Sequence, residues 1–176
     1  MKLLLIRHGE TDWNKENRVL GRSDIPLNDM GQRQANDLVD QLHTTRIHAI
    51  YSSPLKRASH IGNMIAKDHQ LEEIIDDRLI EMDFGIFEGV DRNDLNYQRQ
   101  KRSVFTRFKN GESYLEIAGR VYPFLKEIRK EHSEDTVLIV THNGICRIIA
   151  SYFVDMSLEE FVTFSMSNAE VKEFIL

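Results

Sequence analysis

Cysteine is almost missing from this chain: Cys146 stands alone among 176 residues. A lone thiol has no partner within the chain, so a disulfide scaffold is excluded and a reducing compartment is expected. Long apolar runs are missing too. The nearest is 145–154, and it carries Arg147, well short of the roughly 18 apolar residues that a spanning helix needs. At the amino end Lys2 is followed by only a short apolar stretch before Arg7, too little for the core of a signal peptide. Nor is there an excess of positive charge. The 23 Lys and Arg face 28 Asp and Glu, a net charge of −5, which gives no general attraction to nucleic acid or anionic membrane. Repeats and low-complexity tracts are likewise absent. The expectation is a cytoplasmic protein with no nucleic-acid or membrane partner, in which any anion site is a local cluster of Arg and His.

Hydrophobic residues make up 41% of the chain and charged residues 29%, the balance of a globular protein with a substantial core. The length suits a single domain spanning 1–176. Residues 2–6 and 136–140 are short, uniformly apolar runs and read as buried strands. Residues 48–51 and 73–76 are further strand candidates, and 170–175 reads as an edge strand. Ala35, Leu38, Val39 and Leu42 form one apolar stripe on a helix starting near Asn28. Ser53-Pro54 reads as the cap and first residue of a second helix, with Ala58, Ile61, Ile65 and Ala66 on its inner face. Ser113-x-x-Glu116 fits a capping box, although Gly119 and Pro123 predict a kink or a late start for that helix. A buried helix follows through Ile145, Ile148, Ile149 and Tyr152. Residues 10–27 read as loop, and 77–91 as a loop carrying Glu81, Gly85, Glu88 and Gly89. Strands alternate with helices, so the fold class is α/β, a three-layer α/β/α sandwich with a mostly parallel central sheet and an antiparallel edge strand.

Two of the strands end in the same chemistry. One runs into Arg7-His8-Gly9-Glu10-Thr11, the other into Thr141-His142-Asn143-Gly144. Ligands in open α/β sheets bind at the carboxyl ends of the strands, so parallel central strands would open both histidines into one crevice. Arg57 arrives from a helix start, where backbone N–H groups already favour an anion, and Glu81 can reach over from its loop. Two guanidiniums match the equatorial oxygens of a phosphoryl group in transfer. A neutral imidazole can attack phosphorus, and a carboxylic acid can protonate the leaving oxygen and then deprotonate water.

On these residues the chain resembles the histidine phosphatase superfamily, which includes the phosphoglycerate mutases. The resemblance runs through Leu4-Leu5-Ile6-Arg7-His8-Gly9-Glu10-Thr11 with Trp13-Asn14, Pro26-Leu27-Asn28 through Gln34-Ala35, Ser52-Ser53-Pro54-Leu55-Lys56-Arg57-Ala58, Leu79-Ile80-Glu81 through Gly85 with Glu88-Gly89, Gly111-Glu112-Ser113, and Val140-Thr141-His142-Asn143-Gly144. It implies that His8 is the phosphorylated nucleophile, that Arg7, Arg57 and His142 make the phosphate pocket, and that Glu81 is the general acid/base. It implies substrate contacts from Asn14 and from the backbone at Gly21, and Asn143 is taken with them. No metal and no cofactor are implied; the partner is a small phosphorylated metabolite.

Within that resemblance, the mutases follow the acidic residue with an Arg that holds a substrate carboxylate; Met82 stands here instead. They also carry a longer insertion where this chain has only the 92–109 segment. Both differences favour a phosphatase, of broad specificity or like the α-ribazole phosphatases, over a mutase. A non-catalytic binder of phosphorylated metabolites is the reading from another class. Residues 92–109 hold six basic residues against Asp94 and read either as a solvated face or as a basic cap over an anionic substrate. His43, His48, His60, His69 and His132 lack metal-ligand spacing and read as structural or surface residues. Cys146 reads as a buried small hydrophobe and Trp13 as loop packing. The oligomeric state is not readable.

Overall fold

A computed structural model describes residues 1–175. In chain order the elements are β1 (Lys2–Arg7), α1 (Asp12–Lys15), α2 (Asp29–Leu42), β2 (Ala49–Ser52), α3 (Lys56–Asp68), β3 (Glu73–Ile75), α4 (Leu95–Arg102), α5 (Tyr114–Glu131), β4 (Thr136–Thr141), α6 (Asn143–Phe153), α7 (Leu158–Thr163) and β5 (Val171–Ile175). Short 3-10 turns at Asp77–Leu79 and Gly85–Phe87 shape the segment between β3 and α4.

The strands form one sheet in the order β3-β2-β4-β1-β5. The first four are parallel, and β5 pairs antiparallel with β1 at the edge. β1 and β4 are apolar on both faces because both faces are covered. Leu4 and Ile6, with Ile50, Leu138 and Val140, pack against Leu38 and Leu42 of α2 and Ile61 and Ile65 of α3. On the other side Leu3 and Leu5, with Val137 and Ile139, meet Phe124 and Ile128 of α5 and Ile145 and Ile149 of α6. Each Leu or Ile so buried contributes about 1.5–3 kcal/mol, and together they hold the strand ends that carry the charged residues. Among the described residues, no helix is long and apolar enough to cross a membrane.

Local structure departs from the sequence reading at three places. Ser53-Pro54 does not cap α3: the cap is Leu55, without a side-chain hydrogen bond, and the Ser53 hydroxyl oxygen accepts from Leu55 N–H at 3.3 Å and from His142 Nε2–H at 2.7 Å. α5 starts directly after Ser113, whose capping box with Glu116 is complete, and it runs on past Gly119 and Pro123. Apolar contacts of Ile117, Val121, Phe124 and Leu125 with the sheet outweigh the local cost of glycine and proline. The expected loop 10–27 contains α1, held by Thr11 and Asn14 capping each other. Asparagine in place of the usual Glu or Gln hides that box in the sequence.

Candidate active site

Three neighbouring strands end level with one another. Arg7 of β1 is in register with Thr141 of β4, and Val140 of β4 with Ser52 of β2. The next residues therefore emerge side by side. The His8 N–H donates to the Thr141 carbonyl at 2.9 Å and the Ser53 N–H to the Val140 carbonyl at 3.1 Å. His8, His142 and Ser53 are thus gathered by strand register alone. The two imidazole centroids lie 5.2 Å apart.

The hydrogen bonds fix which ring nitrogens carry protons. His8 Nδ1 lies 2.7 Å from the Gly9 carbonyl oxygen. A carbonyl only accepts, so Nδ1 donates and Nε2 keeps its lone pair. His142 has the opposite arrangement. Its Nδ1 accepts from Arg57 Nε–H at 3.2 Å, and Nε2–H donates to Ser53 Oγ at 2.7 Å. Burial, reinforced by the Arg57 charge, holds both imidazoles well below the usual 6.5; both are neutral at pH 7.

Arg57 is buried in the first turn of α3. Its Nη atoms donate to the carbonyls of Ser23 at 2.8 Å and Gly21 at 2.6 Å. That loop is held in turn by the Glu88 carboxylate, which accepts from Gly21 N–H at 3.2 Å, Arg22 N–H at 2.9 Å and Ser23 Oγ at 2.8 Å. The Gly21 backbone therefore positions Arg57 through its carbonyl, while its N–H is occupied by Glu88. Arg7 donates to the Met166 carbonyl at 2.5 Å, and its Nε is buried with no partner. Burial lowers both guanidiniums to about 10, so both stay cationic at neutral pH. Asn14 Oδ1 accepts from Thr11 N–H and Oγ1 and from Asn168 Nδ2, at 3.2, 3.1 and 3.2 Å. This leaves Asn14 Nδ2 as a second buried donor without a partner. Unsatisfied buried donors cost about 1–3 kcal/mol each, more when charged, and two of them beside a cationic cluster suit an anion.

Glu81 is buried. Its Oε1 accepts from Met82 N–H at 2.8 Å and Oε2 from Gly144 N–H at 3.1 Å. Burial raises its pKa against the opposing pull of those bonds, which suits a carboxyl that must hold a proton and release it. A side chain at residue 144 would collide with Glu81 Oε1, so the close approach requires glycine. A cavity of about 120 Å³ opens on Glu81, Asn143 and Gly144, and Arg92, Lys101 and Arg147 line it as well. Asn143 is fixed by accepting from Met166 N–H at 2.9 Å and Ser165 Oγ at 3.2 Å. The basic run 92–109 divides: Arg99, Arg102, Arg107 and Lys109 are exposed, whereas Arg92 and Lys101 are half-buried and face the cavity.

The structure thus brings His8, Arg7, Arg57, His142 and Glu81 to one end of the sheet, with Asn14, Gly21 and Asn143 around them. Sequence reasoning missed Ser53 and Asn168. Ser53 was disguised as a helix cap. Asn168, which donates to the His8 and Gly9 carbonyls at 3.0 and 3.1 Å, gave no signal before β5. Arg147 was noted only as a charge inside an apolar stretch. Cys146 is buried as expected, and Trp13 lies in α1, not in a loop, with the Arg18 guanidinium 4.1 Å above its ring. His132 links Tyr51 to Asp135, and His48 accepts from Thr136 N–H; both are structural.

Comparison with protein families matches residues 3–176 to the histidine phosphatase superfamily, branch 1. Phosphoserine phosphatase 1 of Hydrogenobacter thermophilus is 34% identical over 176 residues, covering 96% of this chain and 83% of that one. Phosphoglycerate mutase-like protein 4 of Arabidopsis thaliana is 31% identical over 161 residues, 83% of this chain and 68% of that one. Among solved structures, a mutant phosphoserine phosphatase of Entamoeba histolytica in complex with phosphoserine superposes with a TM-score of 0.86 at 29% identity, covering 99% of this chain and 90% of that one.

Proposed function

The chain belongs to the histidine phosphatase superfamily, and we propose that it is a metal-independent phosphomonoester hydrolase that acts on a small phosphorylated metabolite through a phosphohistidine on His8. The observation that carries this reading is the His8 tautomer. With Nδ1–H tied to the Gly9 carbonyl and the ring held neutral, the Nε2 lone pair is available among fixed positive charges.

In the proposed first step Nε2 attacks phosphorus. The bond from phosphorus to the ester oxygen breaks, and the leaving oxygen takes the Glu81 proton. Arg7 and Arg57 hold the equatorial oxygens, and His142 Nε2–H, shared with Ser53, is a neutral donor beside them. In the second step water attacks phosphorus and gives its proton to the Glu81 carboxylate. The phosphorus–nitrogen bond breaks, and phosphate leaves. Met82, which stands where the mutases carry an Arg, lies fully in the core, and that difference supports hydrolysis over mutase action. The phosphatase names of the Hydrogenobacter thermophilus relative and the Entamoeba histolytica neighbour support the same choice.

The test is hydrolysis of p-nitrophenyl phosphate in EDTA, with acid-labile radiolabel trapped on residue 8 during turnover. Turnover with no label on His8 would overturn the mechanism. Interconversion of phosphoglycerates without phosphate release would make the chain a mutase, and tight phosphate binding without any turnover would make it a binder.

A further inference from the structure

Gly111-Glu112-Ser113 stands out in the sequence but supplies none of the groups assigned to the phosphoryl pocket. The structure sets it against residues 78–83, the segment that carries Glu81. Residues 112 and 83 are joined twice. The Glu112 N–H donates to the Asp83 carbonyl at 2.9 Å, and the Asp83 N–H donates to Glu112 Oε2 at 3.0 Å. Gly111 permits this approach, since a side chain there would collide with the Asp83 carbonyl oxygen. Ser113 fixes the other side as the capping residue of α5.

Two arginines meet on the Glu112 carboxylate. Arg22 Nη2 lies 2.9 Å from Oε1, and Arg120 Nη2 lies 3.4 Å from Oε2. Each guanidinium also holds a carbonyl of the Glu81 segment. Arg22 Nε–H donates to the Glu81 carbonyl at 3.4 Å, and Arg120 Nη1 donates to the Arg78 carbonyl. Thr141 Oγ1 donates to the Leu79 carbonyl between them at 2.8 Å. The Glu112 and Arg120 side chains are only 17% and 18% exposed, so water does little to replace a lost partner. With the main chain of 78–83 held in this way, only the Glu81 side chain is left to orient, and the Met82 and Gly144 N–H groups do that.

We propose that Glu112 is a positioning residue for the general acid: it gathers Arg22 and Arg120 so that they hold the main chain of 78–83 and aim the Glu81 carboxyl at the leaving oxygen. The proposal rests on the hydrolase reading, with Glu81 as its acid. An acid must lie within hydrogen-bond reach of the oxygen it protonates, and a displacement of about 1 Å can cost about 10²-fold in rate. Arg22 also belongs to the loop whose Gly21 and Ser23 carbonyls hold Arg57, so the acid and the phosphate clamp share one support. Charge works in the same direction. Burial raises the Glu81 pKa, and the Arg57 and Arg120 charges oppose that rise. The Glu112 charge paired with Arg120 offsets part of the opposition and favours the protonated acid.

Two aryl esters test this. Phenolate is as basic as a tyrosine side chain, with a pKa of about 10, and needs the acid to leave; p-nitrophenolate leaves without it. Glu112→Gln keeps the side-chain length but turns an amide N–H₂ toward a guanidinium. It is expected to lower kcat/KM for phenyl phosphate about tenfold while changing that for p-nitrophenyl phosphate by less than about twofold. On a Glu81→Gln background the same change should cost phenyl phosphate nothing further, because the acid it serves is gone. Lys126→Gln, an exposed change on α5, leaves both esters as they were. Equal losses for the two esters overturn the proposal, as does a loss that persists in full on the Glu81→Gln background.

Amide hydrogen exchange, read by NMR, reports the placement without turnover. In Glu112→Gln the Met82 and Gly144 N–H groups, which donate to Glu81, are expected to exchange about tenfold or more faster. The Cys146 N–H, bonded to the His142 carbonyl at 2.8 Å, keeps its rate. Unchanged exchange at Met82 and Gly144 overturns the proposal. If the unaltered chain hydrolyses neither ester, the hydrolase reading falls, and exchange at these two amides decides on its own whether Glu112 places the Glu81 carboxyl.

Discussion

Ser53 Oγ lies 2.7 Å from His142 Nε2, while Arg57 Nε holds the opposite ring nitrogen at 3.2 Å. The imidazole is clamped at both ends and its tautomer is set by the pair. Ser53→Ala removes one clamp and leaves a buried N–H unpaired. The expected outcome is a fall in kcat of about tenfold or more, with a loss of about 1–3 kcal/mol in stability. Steady-state kinetics and urea unfolding on the same preparation check both.

Removing the nucleophile has a sharper result. His8→Ala is expected to abolish turnover and radiolabel incorporation. Vanadate and phosphate should still bind, because Arg7, Arg57 and His142 are anchored independently of the His8 ring. Calorimetry with phosphate reads binding, and acid-labile label reads the chemistry.

Glu81→Gln keeps the carboxamide near Met82 and Gly144 but removes the transferable proton. A loss of about 10²–10⁴-fold in kcat is expected for alkyl phosphates. The loss is smaller for p-nitrophenyl phosphate, whose leaving group needs no proton. Because the Glu81 pKa is raised, its acid form persists above the usual carboxylate range. Single-turnover phosphorylation by alkyl esters should fall as pH rises through that raised value. The p-nitrophenyl ester should show the fall weakly, and a matching pH profile for both esters would contradict the assignment.

Gly144→Ala tests the close approach of α6 to Glu81. The added methyl meets a carboxylate oxygen, which can swing away. The fold should survive while kcat drops toward the Glu81→Gln level. Circular dichroism together with kcat distinguishes a displaced carboxyl from an unfolded chain.

The buried imidazoles make stability depend on pH. Unfolded, His8 and His142 take protons near 6.5; folded, they do so only well below that. Between these values the unfolded chain binds protons that the folded chain lacks. The contribution is full above about pH 6.5 and is lost as pH falls, by up to about 1.4 kcal/mol per pH unit for each ring. Glu81 works the other way: its folded pKa lies above 4.5, so it destabilises as pH rises past that value. Urea midpoints at pH 7.5 and 5.5 should show a fall on acidification that is smaller in His8→Asn.

Much of the site was legible because its parts sit next to strong local signals. Arg7-His8 and His142-Asn143 follow apolar runs, and such runs become buried strands almost whatever surrounds them. Ser53 was legible only as a helix cap, because serine before proline has that local preference; contact with His142 depends on β2 and β4 being neighbours. α5 shows the same limit. Gly119 and Pro123 weaken a helix locally, and the core face of Ile117, Val121 and Phe124 overrides them. The basic run 92–109 was ambiguous for a like reason, since charge composition does not say which cations face solvent and which face Glu81.

By itself the amino-acid sequence determined the α/β class, the buried strands, the helices with one apolar face, and the chemical types of the groups at the strand ends. These follow from short-range periodicity and side-chain chemistry. Tertiary structure decided the strand order and register that set His8, His142 and Ser53 side by side, the tautomers of both rings, and the closing of Arg147 over a cavity shared with Lys101. Those depend on contacts between residues far apart in the chain, whose energies no local pattern encodes.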